Sequence, residues 1–496
     1  MRYDDLHMDP TAVSSRSPSA SYDATHVHFK GVQLIADPIH GYIPFTVPIE
    51  SMPGQDETAE SDLIDSSWMQ RLRAIAQLQS ARWVFPAAEH SRFQHSLGTM
   101  HIAGRFAQHL YPTLCDVEPA CPSLPYIESL LRVSGLLHDI GHGPLCHFFD
   151  DHYLSRFAIS HEMIGHWIIL QDLAAIISRI RRSPSGEFAS DEILEPRYVA
   201  YLMQKKLSDD PGMPRWLRLL KPVLAGVYTA DNLDYVLRDA YMCGVAIGPV
   251  DLDRLLHYSF ITRHGLTLHT SGIGALNMFL TARHYLYTHV YGHRTVRAID
   301  LHLQELFPET MNHIFPWNPL ERLDDYLWLT DWSLLETVRR WTSLAHAGKR
   351  HLGSGWDAIL KRRLKWKMAY DATAALRHIE TLAGTTPTTE QFMHLIHVAL
   401  PTPYQDLEFK LDITSRRPRH TLPTAEEAWP FATYDPSTGD VHARPLATQF
   451  EHIPKPVIQY RIYTTDHDGI QQLARTCETV LAQQLPSRIA VSTGAK

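Results

Sequence analysis

Long hydrophobic runs are missing from this chain: nothing approaches the ~18 apolar residues that a membrane-spanning helix needs. The first residues also lack the charged-then-apolar pattern of a secretory signal. Cysteine is scarce, with five residues at 115, 121, 146, 243 and 477 and no Cys-x-x-Cys pair. That spacing argues against a disulfide framework and for a reducing compartment, so a cytoplasmic protein without a membrane partner is expected. A basic excess is absent as well: 46 Lys and Arg stand against 54 Asp and Glu, a formal charge of −8. A nucleic-acid scaffold would carry the opposite sign, so nucleic acid is not expected among the partners. The short basic runs Arg179–Arg182, Lys361–Lys367 and Arg416–Arg419 read as solvated faces. No internal repeat is visible.

What the chain does contain is length and a core. Its 496 residues allow about three domains, and 44% hydrophobic content is ordinary for a globular protein. Residues 1–28 are rich in Ser, Asp and Pro and read as a disordered leader. A short strand over Val32–Ile35 runs into Asp37-Pro38-Ile39-His40-Gly41, which has turn chemistry. Helical spacing of Ile64, Trp68, Leu72 and Ile75 predicts a helix over 62–80, and a second runs from about His90 to Leu110. Ser160 is placed to cap a helix that begins at His161. Asp231, Asp234 and Arg238 share one face of a later helix, where an Asp234–Arg238 salt bridge is the plain reading. Residues 259–270 alternate as a hairpin, and a long helix is expected over about 274–307. The Pro-rich tail has strands at 407–413 and 457–463 and a last helix near 469–485. The organisation predicted is a mainly α fold: a helical body over 29–383 and a smaller C-terminal α+β lobe over 384–496.

The densest chemistry lies at 138–150, where His138, Asp139, His142, His147 and Asp150 follow the apolar helix carrying Ile127, Leu130, Leu131 and Leu137. Gly141, Gly143 and Pro144 then break that helix and let the backbone turn closely. Any one of these histidines taken alone reads more readily as a satisfied core or capping residue. Together they are costly to bury unless something pairs them. Adjacent helical residues point about 100° apart, so His138 and Asp139 can share a cation only with ligands from other helices. Imidazole with carboxylate suits Fe, Mn or Zn rather than a thiolate-loving metal. Such an ion can activate water toward a phosphoryl centre, and surplus histidines can serve as general acids. Composition and spacing therefore point to a phosphoryl hydrolase and leave its substrate open.

The order His95, His138-Asp139, Asp231 resembles the H…HD…D signature of the HD-domain metal-dependent phosphohydrolases. Further phrases resemble their deoxynucleoside triphosphate triphosphohydrolase branch: Asp37-Pro38-Ile39-His40-Gly41, Gln70-Arg71-Leu72-Arg73, Arg92-Phe93-Gln94-His95-Ser96-Leu97-Gly98, Ser160-His161-Glu162 and Leu233–Asp239. These span about residues 30–300; the sterile-alpha-motif that accompanies the animal enzyme has no counterpart.

The resemblance implies an HD-type helical core that hydrolyses a dNTP to a deoxynucleoside and inorganic triphosphate. It implies His95, His138, Asp139 and Asp231 as ligands of a divalent metal, with additional Mg²⁺ accompanying the nucleotide. His142, His147 and His161 would surround the α-phosphate with Asp150 orienting one of them, and His147 or His161 would protonate the leaving oxygen. Gln77 and Asp239 would bind the sugar 3′-hydroxyl, Tyr291 would pack on the deoxyribose, and Arg92, Tyr235 and Arg283 would contact phosphate. Asp65, Gln70, Arg73 and Arg461 correspond to contacts of a guanine nucleotide activator held between subunits of a homodimer or homotetramer. The chain departs from the pattern at Asn232, where the branch carries Lys or Arg, and at His269 and Ser271, where basic residues are expected. Those departures keep an alternative open: an HD phosphohydrolase acting on a nucleoside monophosphate or another phosphate ester.

Overall fold

The computed structural model describes residues 31–49, 57–204, 212–376, 389–416, 430–445, 457–466, 468–484 and 489–493. The leader expected over 1–28 lies outside them. At the centre stands helix α1, Arg92–Val117, whose first turn is closed by the Ser91 amide donating to Gln94 Oε1 at 3.0 Å. Phe93, Leu97, Met100, Phe106 and Leu110 bury it on several sides, as expected of a core helix rather than a surface one. Helix α2, Leu124–Leu137, packs along it and ends directly in His138. Gly135 makes the approach possible, since a Cβ there would meet the Thr99 carbonyl at 3.0 Å.

Three shorter elements complete the walls around the α2 terminus. Helix α3 spans His147–His152, and helix α4, His161–Leu170, begins where Ser160 accepts a hydrogen bond from the Met163 amide. Helix α5, Ala230–Cys243, is capped by Thr229 and stops at Gly244, whose φ of +67° suits a left-handed C-terminal residue. The expected 62–80 helix is broken instead into Glu60–Ile64, Ser67–Arg71 and two 3₁₀ turns. Between those turns the backbone pairs elsewhere: the Ala76 amide donates to Asp331 Oδ2 at 2.8 Å, and the Gln77 amide to the His90 carbonyl at 3.0 Å. The expected 274–307 helix is likewise two, α6 (Ile273–Leu286) and α7 (Arg294–Ile314), joined by a π-helical turn at Tyr287–Tyr291.

Strands β1 (Val32–Asp37) and β2 (Gly41–Thr46) form an antiparallel hairpin. It is tied to the body by the buried ion pair of Arg132 and Glu60, at 2.6 and 2.9 Å, whose Arg132 also donates to the Pro44 carbonyl. Strands β3 (Ser259–Thr262) and β4 (Gly265–His269) make a further hairpin.

The C-terminal α+β region has its own core. Strand β5 (Lys367–Leu376) pairs in one antiparallel sheet, of order β10-β5-β9-β6, with β6 (Phe409–Arg416), β9 (Val457–Thr464) and β10 (Ile489–Thr493). Thus β5 joins the sheet although it precedes the Pro-rich stretch. Phe392, Ile396, Ile462, Leu473 and Leu481 fill the space between this sheet and the helices Thr389–Ala399 and Ile470–Gln484. Two more strands, β7 (Pro430–Asp435) and β8 (Asp440–Pro445), extend the β3–β4 sheet, with β7 running parallel to β4. Arg297 of α7 clasps Asp412 of β6 at 2.8 and 3.0 Å, fixing the smaller region to the body.

Candidate metal centre and its cavity

Four side chains from α1, the end of α2 and α5 meet at one point. His95 Nε2 lies 3.1 Å from Asp231 Oδ1 and 3.7 Å from Asp139 Oδ2. His138 Nε2 lies 3.3 Å from Asp139 Oδ2 and 3.6 Å from Asp231 Oδ1. Separations of this size are what ligands bound at about 2.0–2.2 Å to one cation would show.

The remaining ring nitrogens settle which atoms face inward. His95 Nδ1 is hydrogen-bonded to Asp234 Oδ2 at 2.7 Å, and His138 Nδ1 to the Gly135 carbonyl at 2.8 Å. Each ring can therefore donate from Nδ1, which leaves Nε2 as the atom a metal would take from the neutral ring, the arrangement that orients a metal-binding imidazole. His138 Nε2 is buried with no hydrogen-bond partner. An orphaned acceptor beside two carboxylates fits a divalent ion, and thiolates are absent from the set.

The charges agree. Burial alone would push the His138 pKa down, but Asp139 and Asp231 overcome it and raise it to about 10. Burial would likewise raise the Asp139 carboxyl; the Arg92 guanidinium, 2.5 Å away, and His138 hold it well below the usual range. Asp234, for its part, does pair with Arg238, at 2.8 and 2.9 Å, and also accepts from His40. Arg238 reaches on to Asp37 at 2.8 Å, so the turn at 37–41 braces the ring of His95.

A second group stands beside the first. His161 Nδ1 is hydrogen-bonded to Asp150 Oδ2, and His147 Nδ1 lies 3.5 Å from the same oxygen. The His142 and His161 rings stack at 3.7 Å, and His142 Nε2 is 3.3 Å from Asp139 Oδ1. His142, His147, Asp150 and His161 bring ligand-type atoms within 4.8 Å of one another, as do His95, His138 and Asp139, a set that does not include Asp231. With His161 Nδ1 committed to Asp150, three imidazoles and one carboxylate are set against one another, a combination that can hold and pass protons. Burial and the neighbouring Arg92 push the His142 pKa well down, so its ring is neutral.

Three residues to which the sequence assigns no role, Arg71 of the Gln70–Arg73 phrase among them, hold this loop in place. Arg71 donates to the carbonyls of His142, Leu329 and Tyr326 at 2.6, 2.9 and 3.3 Å. Tyr326 donates to the Gly141 carbonyl at 2.8 Å, and Asp331 accepts from the Leu145 amide at 2.7 Å. The reinforcement matches strain: Leu145 and Cys146 sit at φ +59° and +53°, costly for residues with a Cβ. Gly141 approaches so closely that a Cβ would stand 2.0 Å from the His161 carbonyl.

A cavity of about 260 Å³ opens beside the centre, lined by Asp139, Asp231, His147, Arg92 and Arg283. Gln77, Asp239, Tyr235 and Tyr291 also line it, together with Tyr287, to which the sequence assigns no role. Tyr291 donates to Asp239 Oδ2 at 2.5 Å, and His90 Nε2 engages the other carboxylate oxygen at 2.8 Å. Gln77 Oε1 and Asn232 Nδ2 are buried without partners on this cavity, one acceptor and one donor.

The four residues assigned to a regulatory nucleotide are not all together. Asp65 and Arg73 border one groove of about 600 Å³ with Phe93, and Gln70 accepts from Arg73 Nε at 2.8 Å. Arg461 lies on β9 instead, donating to the Gly292 carbonyl.

The model of the HD domain matches residues 92–235, the span that begins at the Arg92 turn and includes all four convergent side chains. The chain contains an HD domain. Among curated proteins, the chain is 32% identical to an uncharacterized protein of Methanocaldococcus jannaschii over 57% of its own length and 54% of that protein. It is 27% identical to the deoxynucleoside triphosphate triphosphohydrolase SAMHD1 homolog of Dictyostelium discoideum, over 64% of the chain and 56% of the relative. It is 28% identical to deoxynucleoside triphosphate triphosphohydrolase SAMHD1 of Bos taurus, over 57% and 48%. The chain thus spans about half the length of these relatives. A crystal structure of a hypothetical protein from Aquifex aeolicus shares the fold, with a TM-score of 0.62 at 23% identity, covering 91% of this chain and 100% of that one. No described helix, within the HD domain or outside it, is long and apolar enough to cross a membrane.

Proposed function

We propose that the protein is a metal-dependent phosphohydrolase that cleaves deoxynucleoside triphosphates to a deoxynucleoside and inorganic triphosphate. The observation that carries this reading is the convergence of His95, His138, Asp139 and Asp231 with both Nε2 atoms turned inward, beside a cavity with polar and aromatic walls. When bound there, a divalent Fe, Mn or Zn ion supplies Lewis acidity toward a phosphoryl oxygen and readies water for attack.

The chain's own groups do the rest. Arg92 and Arg283 neutralise phosphate charge at the metal end of the cavity, with Tyr235 beside them. Gln77 and Asp239 take the sugar 3′-hydroxyl, giving Gln77 Oε1 the partner it lacks. Tyr291, held by Asp239, packs on the deoxyribose where a 2′-hydroxyl would collide. As water bonds to the α-phosphorus, the bond to the 5′-oxygen breaks, and His147 or His161, both set on Asp150, hands that oxygen a proton. His142, neutral, sits against the phosphate.

Incubation with each dNTP and Mn²⁺ or Mg²⁺, with and without GTP, tests the reading through its product. Tripolyphosphate is expected; release of orthophosphate alone, or of nothing under any condition, rejects it.

Asn232 favours a second reading. Its Nδ2 offers the cavity a neutral donor where a cation would grip a polyphosphate, which suits a nucleoside monophosphate or another phosphate ester. Phosphate release from a panel of monoesters separates the two. The groove between Asp65 and Arg73 is proposed to take a guanine nucleotide, with Arg461 contributed across subunits of a homodimer or homotetramer. Sedimentation with and without GTP tests that assembly.

A further inference from the structure

A second cavity, of about 310 Å³, shares no lining residue with the one at the metal centre. Its rim carries Arg215, Arg218, Arg263 and His264, and no carboxylate borders it among the described residues. A hollow rimmed by several cationic side chains presents a positive potential that favours an anionic occupant.

The local structure explains how these groups are brought there. Arg215 and Arg218 lie three residues apart at the start of the helix Arg215–Leu220, hence on one face. Arg215 is steadied from outside the cavity by Glu118 at 2.7 Å. Arg263 and His264 are the two residues at the tip of the β3–β4 hairpin, closed by the Thr262–Gly265 pair. Gly265, at φ +93°, supplies the left-handed residue that lets such a turn carry ordinary side chains. Arg263 Nε donates to His264 Nε2 at 3.1 Å, setting the two side chains against each other. The opposite wall is apolar: Leu219, Leu266 and Phe431, the last brought in by the parallel pairing of β7 with β4.

The geometry points to a binding site for a soluble phosphorylated small molecule of about mononucleotide size. Guanidinium forks match phosphate oxygens in pairs; the Phe431 wall accepts a flat or apolar portion; and the volume is at the lower end of the range for ligand sites. The site does not depend on the chemistry at the metal centre. It does touch it structurally, because Val227 and Tyr228 line the cavity and directly precede Thr229, the cap of the helix bearing Asp231.

Calorimetric titration of the full chain with inorganic pyrophosphate and with ADP tests the proposal. Arg218→Gln/Arg263→Gln is expected to weaken both by at least about tenfold, since each charge-assisted hydrogen bond contributes more than a neutral one. Arg218→Lys/Arg263→Lys should retain much of the binding, and Phe431→Ala should weaken ADP while sparing pyrophosphate. Anionic phospholipid vesicles are expected not to compete with ADP. Identical isotherms for the wild type and the Gln variant overturn the site, as does absence of binding to the wild type or displacement of ADP by vesicles. If the Gln variant melts early, the Lys variant and Phe431→Ala carry the test: loss of pyrophosphate binding in Phe431→Ala, or unchanged ADP binding there, overturns it.

Discussion

Asp234 accepts a hydrogen bond from His95 Nδ1 at 2.7 Å, and so decides which nitrogen of that ring looks into the metal centre. Asp234→Asn keeps the shape and removes the charge that favours this tautomer. Metal affinity is expected to fall about 10- to 100-fold, as for other partners that orient a ligating histidine. Metal content after dialysis against a graded chelator measures it; an unchanged affinity would mean that His95 needs no brace.

Close packing around the same carboxylate makes Gly98 irreplaceable. A Cβ there would stand 1.8 Å from Asp234 Oδ1 and 2.4 Å from Arg238 Nη2. Gly98→Ala should cost about 1–3 kcal/mol of stability by overpacking and should lower metal content with it. Gly274, exposed in α6 with nothing near its would-be Cβ, is the control. Gly274→Ala is expected to gain roughly 0.5–1 kcal/mol from helix propensity. Urea titrations of the two variants side by side decide the matter.

Metal loading should release protons. Burial works against the charged ring of His138, yet Asp139 and Asp231 outweigh it and raise the pKa to about 10. A cation needs the neutral ring, so apparent affinity should drop about tenfold per unit as pH falls below that value, for each proton displaced. In the metal-free protein the sign is the usual one for a raised histidine. Its stabilisation is complete below about 6.5, the ordinary value, and is lost as pH rises through about 10. Titrating metal in buffers of different ionisation enthalpy counts the protons; a count of zero would contradict the assignment.

Asp150→Asn separates proton handling from metal binding. Burial opposes the charged form of the Asp150 carboxyl, but hydrogen bonds from His147 and His161 hold it well below its usual range. Removing that charge is expected to lower turnover by about 10²–10⁴-fold with metal content intact. A variant that lost its metal in parallel would instead place Asp150 in the metal site's framework.

Much of this arrangement is legible from residue order, and the reasons differ by residue. The density of imidazole and carboxylate at 138–150 stands out because it follows an apolar helix, and Ser160 announces the next helix by its capping chemistry. Asp331 and Tyr326 carry no such mark, because a single Asp or Tyr far along the chain has no spacing to betray that it binds the Leu145 amide or the Gly141 carbonyl. The helix expected over 62–80 fails for a related reason. Apolar periodicity continues through Ile75, but the Ala76 and Gln77 amides have long-range partners that outweigh local propensity. Tyr287 is hidden by the same limit: helical periodicity assumes regular turns, and residues 287–291 are wound more loosely.

That looser winding has a genetic consequence. A π-helical turn is the footprint of a single extra residue in an α-helix, so the aromatic end of the cavity depends on one codon's worth of chain between Leu286 and Gly292. Deleting one residue there would let the segment rewind as ordinary helix, rotating the downstream side chains by about 100° and carrying Tyr291 off Asp239. A wall that point substitutions would wear down piecemeal could be removed whole by the loss of three nucleotides.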